Sequence, residues 1–295
     1  MPYFSNMPTL DYPLKINGKT VLINARNILV RAKIIDRIKS TQAAYLNYTI
    51  RDGERPETLA ARVYGQPDLH WVVLLFNEIL DPLFEWPLSS NDLESAVNTK
   101  YTGKTLFIDL KRVNFERGGI VSRAKEELWF EVGGTVTQGN AEGKVLAWDP
   151  NLYKIVIEQT SGTNFSTTPS VTNPQSEYMD LIHRRSDGVV LYAPIGRVVD
   201  DNRYAVHHFE DSETGEVVDH HSILTTANGE LVDSSVMEFY AVYSNELIRL
   251  PNRDVVAVSN YQHEIASNDA KRNIKMMRPE LIDLVIKDMR KIFGG

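Results

Sequence analysis

Four of the chain's seven histidines fall within a short stretch: His207, His208, His220 and His221, with Glu210, Asp211 and Asp219 beside them. The segments Arg203 to Glu210 and Glu216 to Leu224 flank Ser212-Glu213-Thr214-Gly215, a strong signal for a long hairpin. A turn there sets His207 opposite His220 and His208 opposite Asp219. Cross-strand neighbours lie about 5 Å apart, near enough for two imidazoles to share a metal. Neither an HExxH motif nor a His-x-His spacing accompanies them, however. The pattern therefore favours paired hairpin histidines, and no metal or other cofactor is expected.

Other chemistries lack their carriers. The chain has no cysteine, which removes disulfides, thiolate metal sites and cysteine nucleophiles, and fits maturation in a reducing cytoplasm. No GxSxG, GxxxxGK[ST] or GxGxxG pattern occurs, so nucleophile-elbow, P-loop and dinucleotide readings have no anchor. The acidic pairs Glu126-Glu127 and Asp200-Asp201 are sequence neighbours. Glycosidase chemistry needs two carboxyls facing each other across roughly 5–10 Å, which adjacent residues in an extended chain rarely do. No catalytic residue is assigned, and the chain is expected not to be an enzyme.

The aromatic residues Tyr48, Tyr64, Trp71, Phe76, Phe84 and Trp86 crowd into forty positions. Stacked aromatics can grip a sugar or a base, but at these spacings they are expected to form the core of a small domain. The elements around them read clearly. Tyr45 to Arg51 is rich in β-branched and aromatic residues and ends at Asp52-Gly53, as a short strand does. Pro56 and Glu57 suit a helix's first turn, Leu59 and Val63 form its apolar stripe, and Gly65 stops it. A second helix runs from Pro67-Asp68 to Phe76, apolar nearly all round, and ends at Asn77 and Asp81-Pro82. The extended Trp86-Pro87-Leu88 is placed to return beside the first strand.

Composition bounds the rest. The 295 residues suggest two or three modules, and 42% hydrophobic with 24% charged residues excludes a wholly disordered chain. The longest apolar run, Trp71 to Phe76, falls far short of the roughly twenty residues a bilayer helix needs. Met1-Pro2-Tyr3-Phe4 does not read as a signal peptide, so a soluble chain is expected. A net charge of −7 provides no general basic field for nucleic acid. Residues 271–295 nonetheless carry seven bases against three acids, a basic tail on an acidic body.

Outside the aromatic region, three prolines punctuate an irregular N-terminal arm, with a hairpin signal at Asn17-Gly18. Ser90-Asn91-Asp92 caps a helix through Val97 that ends near Gly103. Three short strands follow across residues 129–157, and residues 160–176 form a polar loop. Near the C-terminus, Ser267-Asn268-Asp269 caps a helical run through Ile274 and Met277, and Pro279 restarts a helix carrying Leu281, Leu284, Val285 and Ile292.

The stretch Tyr48-Thr49-Ile50-Arg51-Asp52-Gly53-Glu54, with Leu59-Ala60, Val63-Tyr64-Gly65 and Leu75-Phe76-Asn77, resembles a LysM domain, the small βααβ module. Asp52-Gly53-Glu54-Arg55-Pro56-Glu57, Tyr64-Gly65, Trp71, Asn77, Asp81-Pro82 and Glu85-Trp86-Pro87-Leu88 carry a more specific likeness. They are similar to the LysM-like baseplate wedge proteins of contractile-tailed, T-even-like bacteriophages, the gene 53 product family. Lys271-Arg272-Asn273-Ile274 and Arg278-Pro279 match its C-terminal stretch more weakly.

The resemblance implies a structural component of the virion tail, assembled in the host cytoplasm. Several copies would join neighbouring wedges around the central hub. Its partners would be other wedge proteins, with sheath-initiator or hub proteins as further candidates, and neither nucleic acid nor membrane. The docking residues it implies are Asp52, Gly53, Arg55, Pro56, Glu57, Tyr64, Gly65, Trp71, Asn77, Asp81, Pro82, Trp86, Pro87, Lys271, Arg272 and Arg278. The alternative is a peptidoglycan-binding LysM module or a tail-associated accessory to a cell-wall hydrolase. The expected fold class is α+β, a LysM-like core with inserted antiparallel β modules and C-terminal helices. Its expected divisions are an arm (1–44), the LysM-like domain (45–104), a small β-barrel or meander (105–185), a β-hairpin region (186–262) and a helical tail (263–295).

Overall fold

A computed structural model describes residues 7–27, 41–108, 113–117, 120–122, 128–168, 180–211, 213–218, 240–243, 246–249 and 255–292. The fold is a mixture of helices and antiparallel strands, α+β. Two compact units divide it: Met1–Glu94 with Ile265–Gly295, and Ser95–Glu264. No helix among the described residues is long and apolar enough to cross a membrane.

In the first unit, Pro56 opens the helix Pro56–Tyr64 and Gly65 ends it at φ +73, a left-handed conformation that glycine adopts without a Cβ penalty. A 3-10 turn at Pro67–Leu69 leads into the helix His70–Phe76. Leu59, Ala60, Leu69, Trp71, Val72, Val73 and Phe76 pack into one core with Ile50 and Trp86. The strand Tyr45–Thr49 pairs antiparallel with Asn273–Met277, from Thr49 opposite Asn273 to Tyr45 opposite Met277. Ile274, Met276 and Met277 thereby join the same core.

That pairing corrects two expectations. Residues 273–277 form a strand, where a capped helix through Met277 is expected. Ile274 and Met276 bury alternate side chains while Asn273 and Lys275 face solvent, the period of a strand. The helix that Asn268-Asp269 would have opened instead ends there, as Asn260–Ala270. The edge of Tyr45–Thr49 expected for Trp86-Pro87-Leu88 belongs to this C-terminal strand. The Leu88 backbone bonds the Asn268 side chain at both its N–H (2.8 Å) and its carbonyl (3.1 Å). As expected, Pro279 restarts the chain, first as a 3-10 turn and then as the helix Ile282–Ile292.

The Asn17-Gly18 signal forms a hairpin: Thr9–Ile16 pairs with Lys19–Arg26, with Ile16 opposite Lys19. Asn17 (φ 50) and Gly18 (φ 78) both occupy the left-handed region, as a two-residue turn matching strand twist requires. Tyr12, Leu14, Ile16, Val21, Leu22 and Ile23 are exposed on it.

The second unit is built on an antiparallel sheet of nine described strands, where three are expected. Its spatial order is Ile195–Val199, Lys104–Ile108, Lys154–Ser161, Ala141–Asp149, Thr135–Gln138, Leu181–Arg184, Val190–Ala193, Asn114–Arg117 and Ile120–Ser122. The expected meander survives at its centre, where Gln138 faces Ala141 across one hairpin and Asp149 faces Lys154 across the next. Leu106, Val136, Val145, Ile155, Ile157, Leu181, Leu191 and Ile195 supply its core. His183 is buried there, accepting from the Glu131 amide at 3.0 Å and lying 2.9 Å from the Thr135 carbonyl oxygen. Sequence reasoning sees the two central hairpins; it misses the local hairpins Leu181–Arg184 with Val190–Ala193 and Asn114–Arg117 with Ile120–Ser122, and the pairings that join segments far apart, such as Ile195–Val199 with Lys104–Ile108.

Truncating a buried methionine removes its transfer energy and leaves a cavity. Met276→Ala is expected to cost the fold about 2–5 kcal/mol, read as a lowered urea midpoint.

Candidate functional site

The sixteen motif residues all lie in the first unit, and most of them act as its fasteners. Asp52 and Gly53 form a tight turn closed by the Glu54 N–H donating to the Arg51 carbonyl at 3.1 Å, with Gly53 at φ +68. Asp52 Oδ1 accepts from the Ser90 amide at 2.9 Å and from Arg272 Nη2 at 3.1 Å. The Arg272 guanidinium and the Ser90 amide hold the Asp52 carboxyl below the usual carboxylate range. Arg272 also bonds Asp269 Oδ1 through Nε at 3.0 Å, so one side chain ties the turn to the end of the helix Asn260–Ala270.

Trp86 is buried and donates its indole N–H to the Glu54 carbonyl at 2.8 Å, while Pro87 beside it is buried too. Asn77 closes the other side. Its Nδ2 donates to the Val73 and Lys275 carbonyls, each at 2.8 Å, and its Oδ1 accepts the Lys275 N–H at 2.8 Å. This amide stands in for a strand partner: it caps the helix His70–Phe76 and continues the hydrogen bonding of Asn273–Met277 at once. Tyr64 donates its hydroxyl to the Met277 carbonyl at 3.1 Å, and burial pushes its phenol above the ordinary value.

The remaining members shape the elements. The Arg55 amide donates to Thr58 Oγ1 at 3.1 Å ahead of buried Pro56, and Glu57 is exposed in the first turn. Gly65 ends that helix, and Trp71 lies in the core. Asp81 caps the short helix Pro82–Glu85, accepting the Leu83 amide at 3.0 Å, and Pro82 is its first residue. Lys271 Nζ donates to the Phe84 carbonyl at 2.9 Å, and the Arg278 amide donates to the Ala44 carbonyl at 3.0 Å.

Two features escape the set of docking residues read from sequence, although Glu54 belongs to both motifs. Glu54 gathers the Tyr48 hydroxyl (2.8 Å), the Arg51 amide (3.1 Å) and the Arg62 guanidinium (2.6 Å) on its carboxylate. Only its place after Asp52-Gly53 hints at this. The second is an apolar prominence around the short helix, where Leu80, Leu83 and Phe84 are 72%, 81% and 74% exposed. The expectation that Phe84 belongs to the core is thus corrected, whereas Trp71, Phe76 and Trp86 are buried as expected. The helix Pro82–Glu85 has a single turn, too short to fold an apolar stripe back onto a core.

Residues 4–107 match the family described as "Base plate wedge protein 53". A curated relative, the baseplate wedge protein gp53 of Enterobacteria phage T4, is 35% identical over 94 residues. Those residues make up 30% of this chain and 48% of the relative, so the chain spans about half the length of the curated relative it matches. Lys271, Arg272, Arg278 and the strand Asn273–Met277 lie beyond the wedge-family match, yet they complete the unit that most of it builds.

Asn77→Ala removes three hydrogen bonds and leaves the Lys275 peptide without that partner, at an expected cost of about 1–3 kcal/mol. Asn77→Asp is expected to cost more, since it turns a carboxylate oxygen toward two carbonyls; urea denaturation compares the two variants. The Asp52 carboxyl provides a separate check. Its folded pKa is depressed, so its contribution to stability is present above the unfolded value and is lost as pH falls through the folded one. Arg272→Met is expected to move the Asp52 titration upward, toward its ordinary value, in a carboxyl-carbon NMR titration.

Proposed function

We propose that this chain is a non-enzymatic structural component of a contractile-phage tail baseplate. In this reading several copies join neighbouring wedges around the central hub through protein–protein contacts. The observation that carries it is the match of residues 4–107 to the wedge family. The first unit is read as a LysM-like docking platform. Its order of strand, helix, helix supports that reading, with Asn273–Met277 taking the closing strand's place.

The use made of the motif residues favours docking over sugar binding. Asp52, Asn77, Trp86 and Arg272 all direct their polar atoms at the unit's own backbone and side chains. The exposed apolar side chains sit instead on Leu80, Leu83 and Phe84, within the wedge-family region. Exposed apolar groups clustered in this way mark contact surfaces. In a ring-shaped assembly, several modest contacts per copy add up through effective concentration.

The test replaces the chromosomal copy in phage with a chain carrying Leu83→Asp and Phe84→Asp, and isolates tails from infected cells. The wild-type chain is expected in assembled baseplates. The variant is expected to keep its urea midpoint but to fall at least tenfold in tail occupancy. Retention of the free wild-type chain on purified peptidoglycan, with none in tails, would instead support the cell-wall reading.

A further inference from the structure

His207 and His208 lie on the strand Val206–Asp211, and His263 lies in the first turn of the helix Asn260–Ala270, all within the second unit. Successive residues of a regular strand point to opposite faces. Here the register to Val255–Ser259 runs from Val206 opposite Ser259 directly to His208 opposite Val258, so His207 is bulged out of the ladder. A bulge re-aims side chains, and this one brings the two neighbouring imidazoles together, with Nδ1 to Nδ1 at 2.8 Å.

The third imidazole is positioned by a separate set of bonds. The strand Val255–Ser259 runs straight into the helix. Asn260, buried at its start, donates its backbone N–H to the Ala205 carbonyl (2.9 Å) and its Nδ2 to the Asn202 carbonyl (2.7 Å). His263 then stacks on His207, with ring centroids 3.9 Å apart and planes within 8°. One donor nitrogen from each of the three rings lies within 4.8 Å of the other two.

We propose that His207, His208 and His263 form a binding site for a borderline transition-metal dication of the zinc class. A three-imidazole donor set suits zinc, cobalt, nickel or copper, and lacks the oxygen ligands that calcium and magnesium require. The outer contacts fit the role. His208 Nε2 lies 2.8 Å from Glu210 Oε1, so the carboxylate accepts a hydrogen bond from Nε2–H and leaves the Nδ1 lone pair facing His207, the arrangement that orients metal-binding histidines.

The other charged groups at hand are already engaged. Lys154 Nζ donates to the Val206 carbonyl and lies 3.7 Å from Asp149, and Glu264 holds Lys100 (2.6 Å) and Tyr101 (2.7 Å). On binding, the proton held between His207 Nδ1 and His208 Nδ1 moves to His207 Nε2, a change of tautomer with no change of charge, which frees Nδ1 for the metal. The stacked rings of His207 and His263 turn about their side-chain torsions so that their lone pairs converge. Tetrahedral ligation by three imidazoles leaves a fourth position for water.

The expected hairpin forms in the register read from sequence, with Phe209 opposite Val218 and Glu210 opposite Val217, but the site does not rest on it. His220 and His221 lie outside the described residues, and the partner that the structure supplies to His207 comes from a helix more than fifty positions away.

The test titrates the full-length chain, stripped by chelator, with Zn2+ by calorimetry and with Co2+ by visible absorption. One equivalent per chain is expected, with a Co2+ spectrum of low coordination number. His208→Gln and His263→Gln are each expected to weaken binding at least tenfold. Glu210→Gln, which removes no ligand, is expected to weaken it by about tenfold through the outer contact. His70→Gln, altering a half-buried histidine of the first unit, is expected to leave binding unchanged. Uptake below one equivalent would overturn the proposal. So would uptake that survives both ligand substitutions, or uptake abolished equally by His70→Gln.

Discussion

The first unit depends on one long-range pairing. Tyr45–Thr49 finds its strand partner in Asn273–Met277, and Thr49 and Asn273 stand 224 positions apart. A two-stranded ribbon is marginal by itself, so the pairing must be backed by packing. Ile274, Met276 and Met277 give it that backing by entering the core of the two helices, and Asn77 stitches the strand to the end of the second helix. The entropy of closing so long a loop grows only with the logarithm of its length. A sizeable unit can therefore occupy the interval between the paired strands without a proportionate loss of stability.

Polar groups in this unit are matched locally and economically. Single side chains bridge elements that share no regular ladder: Arg272 reaches Asp52 and Asp269, Asn268 both bonding groups of Leu88, and Asn77 the helix end and the strand. Each supplies a partner to a backbone or carboxylate group that no regular ladder reaches. The residues that carry the resemblance in the sequence are in large part this set of fasteners. What the region offers outward is different: the exposed apolar side chains of Leu80, Leu83 and Phe84.

Local signals in the sequence were legible because their physics is local. Pro56 and Gly65 bound a helix, Asn17-Gly18 turns a hairpin, and Asp52-Gly53 makes a tight turn, each through its own backbone preference. Non-local facts were not legible. The alternation of Ile274 and Met276 is too short to outweigh the cap signal at Asn268-Asp269, which in the fold serves Leu88. Phe84 carries no mark that its helix lasts a single turn. The histidine group shows the same limit: adjacency of His207 and His208 was visible, but neither the bulge that turns them to one side nor the arrival of His263 could be read from spacing.

The closing strand has a consequence for synthesis. A ribosome delivers Asn273 only after the whole stretch following Thr49, a delay of roughly ten to forty-five seconds at about 5–20 residues per second. Throughout that interval the two helices after Tyr45–Thr49 lack the methionines that cover them. The nascent polypeptide thus has time to settle its middle portion first, and the unit that holds Tyr45–Thr49 matures last although most of it is translated first.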